Sequence, residues 1–139
     1  MINRSDELKN ITPEDLLGFL EEHFTYEIPI GIESEIAMRK AGNMLGKLTN
    51  SYSYLASLLA SLSVYTKELK QKCPNKPKGN DVWELAEYTD KKKAYEDMAL
   101  RKSLVEQYLD IIRHQYNCIS RMITVKIEAD RELKMSDAR

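Results

Sequence analysis

This sequence predicts an all-α fold: a long antiparallel helical hairpin preceded by a short N-terminal helix, assembling as a helical-bundle, coiled-coil-like oligomer. Three observations carry that expectation. Apolar or small residues recur at alternating 3-4 spacing from Met38 to Leu69. Residues 90–134 contain neither Gly nor Pro. A polar loop with two prolines and a glycine, residues 74–80, separates the two stretches.

The first eleven residues are polar and read as a mobile lead-in. Thr12-Pro13-Glu14-Asp15 then opens a helix. Thr12 is a capping residue, Pro13 stands where a missing N–H costs nothing, and the two acids face the positive end of the helix dipole. That helix runs to about Phe24 and places Leu16, Leu17, Leu20 and Phe24 on one face. Tyr26-Glu27-Ile28-Pro29-Ile30-Gly31-Ile32 alternates apolar residues around Pro and Gly. It reads as an extended connector lying across a hydrophobic groove, with a lone strand as the alternative.

The first long helix is expected from near Glu33 to Lys72, because Cys73-Pro74 stops it. Its seam is Met38, Ala41, Leu45, Leu48, Tyr52, Leu55, Leu59, Leu62, Thr66 and Leu69. Ala37, Met44, Leu58 and Tyr65 make a second row. Gly42 and Gly46 lie inside, each costing about 1 kcal/mol relative to Ala, and mark either a bend or a close helix approach. After the loop, Asp81-Val82-Trp83-Glu84 resembles a capping box that opens a helix toward Tyr88. Thr89-Asp90 either caps a new helix or lies within a continuing one. The second long helix carries Tyr95, Met98, Val105, Leu109, Ile112, Tyr116, Ile119 and Ile123 as a seam, with Lys102 filling the gap. Leu104, Tyr108, Ile111, Cys118, Met122 and Val125 form a second row.

Two helices joined by a short loop make a hairpin with arms of about 60 Å. Its apolar arcs are wider than a two-helix seam requires. Either the helices fold back or further subunits cover the surplus, and the continuity of the second rows favours self-association. The oligomerisation candidates are Leu45, Leu48, Tyr52, Leu55, Leu59, Leu62, Leu109, Ile112, Tyr116, Ile119 and Ile123. The chain divides into an acidic N-terminal arm, residues 1–35, and a hairpin domain, residues 36–139.

Charge follows the same division. The arm holds nine acids against two bases, whereas the remainder holds 13 acids against 19 bases. No signal pattern opens the chain and no apolar run reaches membrane-spanning length, so a cytoplasmic protein is expected. Two unpaired-looking cysteines, Cys73 and Cys118, suit a reducing compartment.

Catalytic signatures are missing from the sequence: there is no nucleophile elbow, phosphate-cradling glycine loop or dinucleotide fingerprint. His23, Cys73, His114 and Cys118 follow no zinc spacing, so no metal or other cofactor is expected. Asp110 and His114 stand one helical turn apart and read as a solvated surface contact rather than a catalytic pair. The chain is expected not to be an enzyme.

The candidate binding feature is basic. Lys67, Lys70, Lys72, Lys76 and Lys78 lie close together, and Lys91, Lys92 and Lys93 follow at the same end of the hairpin. Trp83 stands among them, with Tyr65, Tyr88 and Tyr95 nearby. Lysines for phosphates and aromatic faces for unpaired bases are what sequence-tolerant single-strand binding requires. The bland alternative is a solvated tip complementing the helix dipole.

The layout resembles the small recombination mediators of myophages, the UvsY family. The resemblance spans roughly residues 36–130. It is carried by Ala41-Gly42-Asn43-Met44-Leu45, the basic stretch 67–79, and Leu109-Asp110-Ile111-Ile112 followed by Ile119, Arg121 and Lys126. It implies an oligomeric, single-strand-binding helper that loads a recombinase. The acidic arm departs from that plan. The leading expectation is therefore a non-enzymatic phage-type protein assisting DNA recombination or replication. Its partners would be copies of itself, single-stranded DNA and a recombinase or other nucleic-acid-processing protein. The alternative is an adaptor or inhibitor that binds a host nucleic-acid-processing protein through the acidic arm.

Overall fold

The computed structural model describes residues 5–8 and 10–137. It is all-α, with α1 (Ser5–Leu8), α2 (Pro13–His23), α3 (Glu35–Lys72) and α4 (Val82–Asp137). No strand occurs among the described residues, so the connector after α2 is irregular extended chain.

Local chemistry places each boundary. The Thr12 hydroxyl accepts from the Asp15 N–H at 3.1 Å, with Pro13 in the first turn of α2. The Ser34 hydroxyl accepts from the Ala37 N–H at 3.1 Å and so starts α3. Both are side-chain caps that satisfy a donor the helix itself leaves unpaired. Cys73 is extended backbone (φ −75°, ψ 120°), as the residue before a proline must be, and ends α3. Asp81 accepts from the Trp83 N–H at 2.9 Å and opens α4. No second cap interrupts that helix: Thr89 turns its hydroxyl back onto the Leu85 carbonyl at 2.8 Å, and α4 continues for 56 residues, about 84 Å.

The two long helices pack antiparallel. Leu48 and Tyr52 share a groove with Ile112 and Tyr116, whereas Tyr65 and Leu69 share one with Met98 and Arg101. Numbers rise along one helix as they fall along the other. Leu48, Leu55, Leu62, Val105, Ile112 and Ile119 are fully buried between the helices. Each such side chain stabilises by about 1.5–3 kcal/mol through apolar burial alone.

The N-terminal segment forms the third layer. Leu16 and Leu20 are fully buried, and Leu8, Phe24 and Ile32 join the same core. Leu8 thus shows that the lead-in is not wholly mobile: α1 is helical, while residues 1–4 and 9 lie outside the described residues. Polar and aromatic contacts fix the segment to the hairpin. Arg101 Nε donates to the Ile11 carbonyl at 2.7 Å, and the Tyr26 and Ser51 hydroxyls meet at 2.6 Å. Gln115 Nε2 donates to the Tyr26 carbonyl at 3.4 Å, and Phe24 stacks on Tyr54 with centroids 5.5 Å apart. In the connector, Tyr26, Ile28 and Ile32 pack inward, but a bend at Ile30 turns that side chain fully into solvent.

This layer corrects one step of the sequence reading. Second-row residues Met44, Leu58, Tyr65, Leu104, Tyr108 and Met122 belong to or pack against the single-chain core. Ile111, Cys118 and Val125 of the same rows stay exposed, so a single chain covers the second rows only in part. The glycines are likewise not approach points within the chain, since a Cβ at Gly42 or Gly46 would meet nothing within 4 Å. Among the described residues, no helix is long and apolar enough to cross a membrane.

Candidate nucleic-acid interface

The loop end of the hairpin is built by chain direction. Lys70 and Lys72 occupy the last turn of α3, where cations complement exposed carbonyls. The chain then leaves as extended backbone through Pro74 and returns at Asp81. The first turns of α4 therefore run alongside the loop.

On α4, Tyr88, Lys92, Tyr95 and Glu96 stand at spacings of four, three and one residue, which share one helix face. Opposite them come Lys70, Cys73, Pro74, Asn75 and Lys76, and the two sets enclose an open cleft of about 310 Å³. Lys92 Nζ lies 5.8 Å from the centroid of the Tyr88 ring and 3.8 Å from a Glu96 carboxylate oxygen. The Lys91 side chain is held differently, donating to Glu87 at 2.8 Å. That hydrogen bond, and then the lysine charge, hold the Glu87 carboxyl below its ordinary range.

The lysines predicted from sequence therefore divide. Lys70, Lys76 and Lys92 converge on the cleft. Lys72 lines a separate recess with Asn10, Glu68, Asp97 and Arg101, where both signs of charge are present. Lys67, Lys78, Lys91 and Lys93 are exposed around the tip, outside the cleft lining. Trp83 is also solvent-facing at 84% exposure and does not line the cleft. Tyr88 and Tyr95 supply the aromatic faces instead. Glu96 was not singled out in the sequence; its spacing from Tyr88 and Lys92 is the signal that finds it.

The oligomerisation candidates divide too. Leu48, Leu55, Leu62, Leu109, Ile112 and Ile119 are buried within one chain, whereas Leu45, Leu59 and Ile123 are half-buried. Tyr52 and Tyr116 are 41% and 38% exposed beside an apolar groove of about 280 Å³.

Other candidate chemistry disperses. Asp110 pairs with Arg113 at 2.8 Å rather than with His114. Cys118 Sγ lies 4.0 Å from Met122 Sδ, and Cys73 and Cys118 are both free. Among the described residues, no three of His, Cys, Asp and Glu gather as metal ligands would. No family model, curated protein or solved structure matches the chain.

Proposed function

We propose that this chain is a non-enzymatic helper of DNA transactions that grips single strands at the loop end of its hairpin and acts in several copies. The observation that carries the reading is the convergence of Lys70, Lys76 and Lys92 around Tyr88 and Tyr95. Ammonium groups neutralise phosphates and release counterions, while tyrosine faces stack on unpaired bases. A duplex keeps its base faces stacked inside, so a cleft of this kind favours unpaired strands.

Self-association belongs to the same reading. Three lysines hold a strand weakly, and joined copies raise the effective concentration of every further contact. Tyr52 and Tyr116, left exposed on the side away from the arm, offer apolar surface for it.

Fluorescence anisotropy of a labelled oligothymidylate, titrated with full-length protein across a salt series, tests the proposal. Binding is expected at low salt, with an isotherm that steepens as copies join. The K70A/K76A/K92A variant is expected to lower the salt slope by about 2, from about 0.7 per phosphate contact on single strands. Its folding stability should stay within about 0.5 kcal/mol, since all three changes lie at the surface. No binding at low salt, or an unchanged slope in the variant, overturns the reading.

A further inference from the structure

The lysines of the cleft explain affinity for a strand, but Glu96 does not: a carboxylate in a cleft lined by three lysines, 3.8 Å from one of them, opposes an incoming phosphate. Resting on the reading above, we infer that Glu96 is a base-reading residue, and that the cleft takes one nucleotide of the strand with a preference for guanine.

Size comes first. About 310 Å³ lies at the lower end of small-molecule pockets, room for one nucleotide unit against the lining. The occupant belongs to a strand because Lys67, Lys78 and Lys93, close in sequence to the lining residues, are exposed outside the lining and can meet flanking phosphates.

Chemistry then selects the base. A carboxylate only accepts hydrogen bonds, through two oxygens side by side. Guanine alone presents two adjacent donors to match them, its ring N–H and its exocyclic amino N–H. Thymine offers one N–H flanked by two carbonyl oxygens, which repel a carboxylate. Adenine and cytosine offer an amino group beside a ring nitrogen lone pair, again one attraction against one repulsion.

Glu96 is available for this exchange. Its ion pair with Lys92 is long, at 3.8 Å, and solvent-exposed, so it holds the carboxylate only loosely. When a strand enters, Lys92 turns to a phosphate and Glu96 to the base edge. The Lys92 ammonium over the Tyr88 ring already places cation and aromatic surface together.

The test compares a labelled oligothymidylate with the same strand carrying interspersed guanosines, and with a third carrying inosines, which keep the ring N–H but lack the amino group. Wild-type protein is expected to bind the guanosine strand at least about fivefold tighter than oligothymidylate, the lower limit for a bidentate base contact. Inosine should fall between them. In E96Q, whose amide presents one acceptor and one donor, the guanosine preference should collapse while oligothymidylate binds more tightly, because the charge that opposes its phosphates and carbonyl oxygens is gone. Equal affinity for all three strands, or a preference that survives E96Q, overturns the inference and leaves the lysine grip standing. Failure to bind any strand overturns the grip as well. Circular dichroism of E96Q checks that the helix is intact.

Discussion

The hairpin is one pair of helices with two contrasting regions. Along its middle, the arm closes a third side, and Leu16 and Leu20 are as buried as Leu55 and Val105. At the loop end the arm gives way to Asn10 beside Lys72, and beyond it lie lysines, tyrosines and an 84%-exposed tryptophan. The same helical geometry therefore serves stability in one region and presentation in the other. What differs is the third layer, not the helices. Where a chain supplies its own cover, apolar rows become core; where it does not, the surface is free to bind.

The largest break in this comparison comes from removing the cover. Leu20→Ala empties a fully enclosed site beneath the arm. It should cost about 2–5 kcal/mol, the range for large-to-small changes in a packed core. Urea unfolding followed by circular dichroism measures it. A cost under about 1 kcal/mol would mean that the arm is a loose appendage and that the middle resembles the tip.

Much of this layout was legible from residues alone. Thr12, Cys73-Pro74 and Asp81 gave helix boundaries because caps and proline act within a few residues. The 3-4 seams gave the packed faces because helical periodicity is local geometry. The route of the arm was not legible in the same way. Leu16, Leu20 and Phe24 announced an apolar stripe, but a stripe does not say whether its groove belongs to the same chain. The second rows at Leu104 and Tyr108 accordingly looked like surface for another subunit. In the candidate site, the lysines were visible as a run of charge, whereas their division was not. Lys70 and Lys72 differ by two positions, which turns them to different sides of α3, one into each recess. Glu96 was hidden for the opposite reason: a single acid on a charged helix has no compositional signal, and only the loop folded opposite gives it a setting.

A smaller effect, of the opposite sign, sharpens the distinction between covered and bare surface. Gly42 and Gly46 sit in α3 with no neighbour within 4 Å of a Cβ, and neither has positive φ. Each Gly→Ala change should raise stability by about 0.8–1 kcal/mol through helix propensity. Thermal melts of the single variants and the pair measure it, and near-additive gains are expected because neither site touches a shared partner. If copies of the chain pack closely against this face, the gain in folding stability would come with a loss of assembled mass in light scattering. One pair of variants thus reads both the helix and its outer surface.

The smallest effect expected concerns the seam between arm and hairpin. Burial first, and then the charge of Glu21, push the Tyr108 hydroxyl above its ordinary value of 10.0, while a hydrogen bond with Thr25 pulls the other way. The folded protein thus prefers the neutral phenol more than the unfolded chain does. That preference is fully present below about pH 10 and is lost as pH climbs through the raised folded value. Stability should therefore fall at alkaline pH, and the arm should loosen there before the α3–α4 core, because Glu21 and Thr25 both belong to the N-terminal segment. Tyr108→Phe removes the titrating group and should flatten that part of the pH profile, at the expense of the Thr25 hydrogen bond at neutral pH. Amide hydrogen exchange of α2, compared between pH 9 and pH 10.5 conditions, about one unit below and just above the ordinary tyrosine range, separates arm release from global unfolding. If α2 and the buried centre of α3 lost protection together, arm and hairpin would be one cooperative unit. The covered middle would then owe its cover to the same folding step that forms the hairpin.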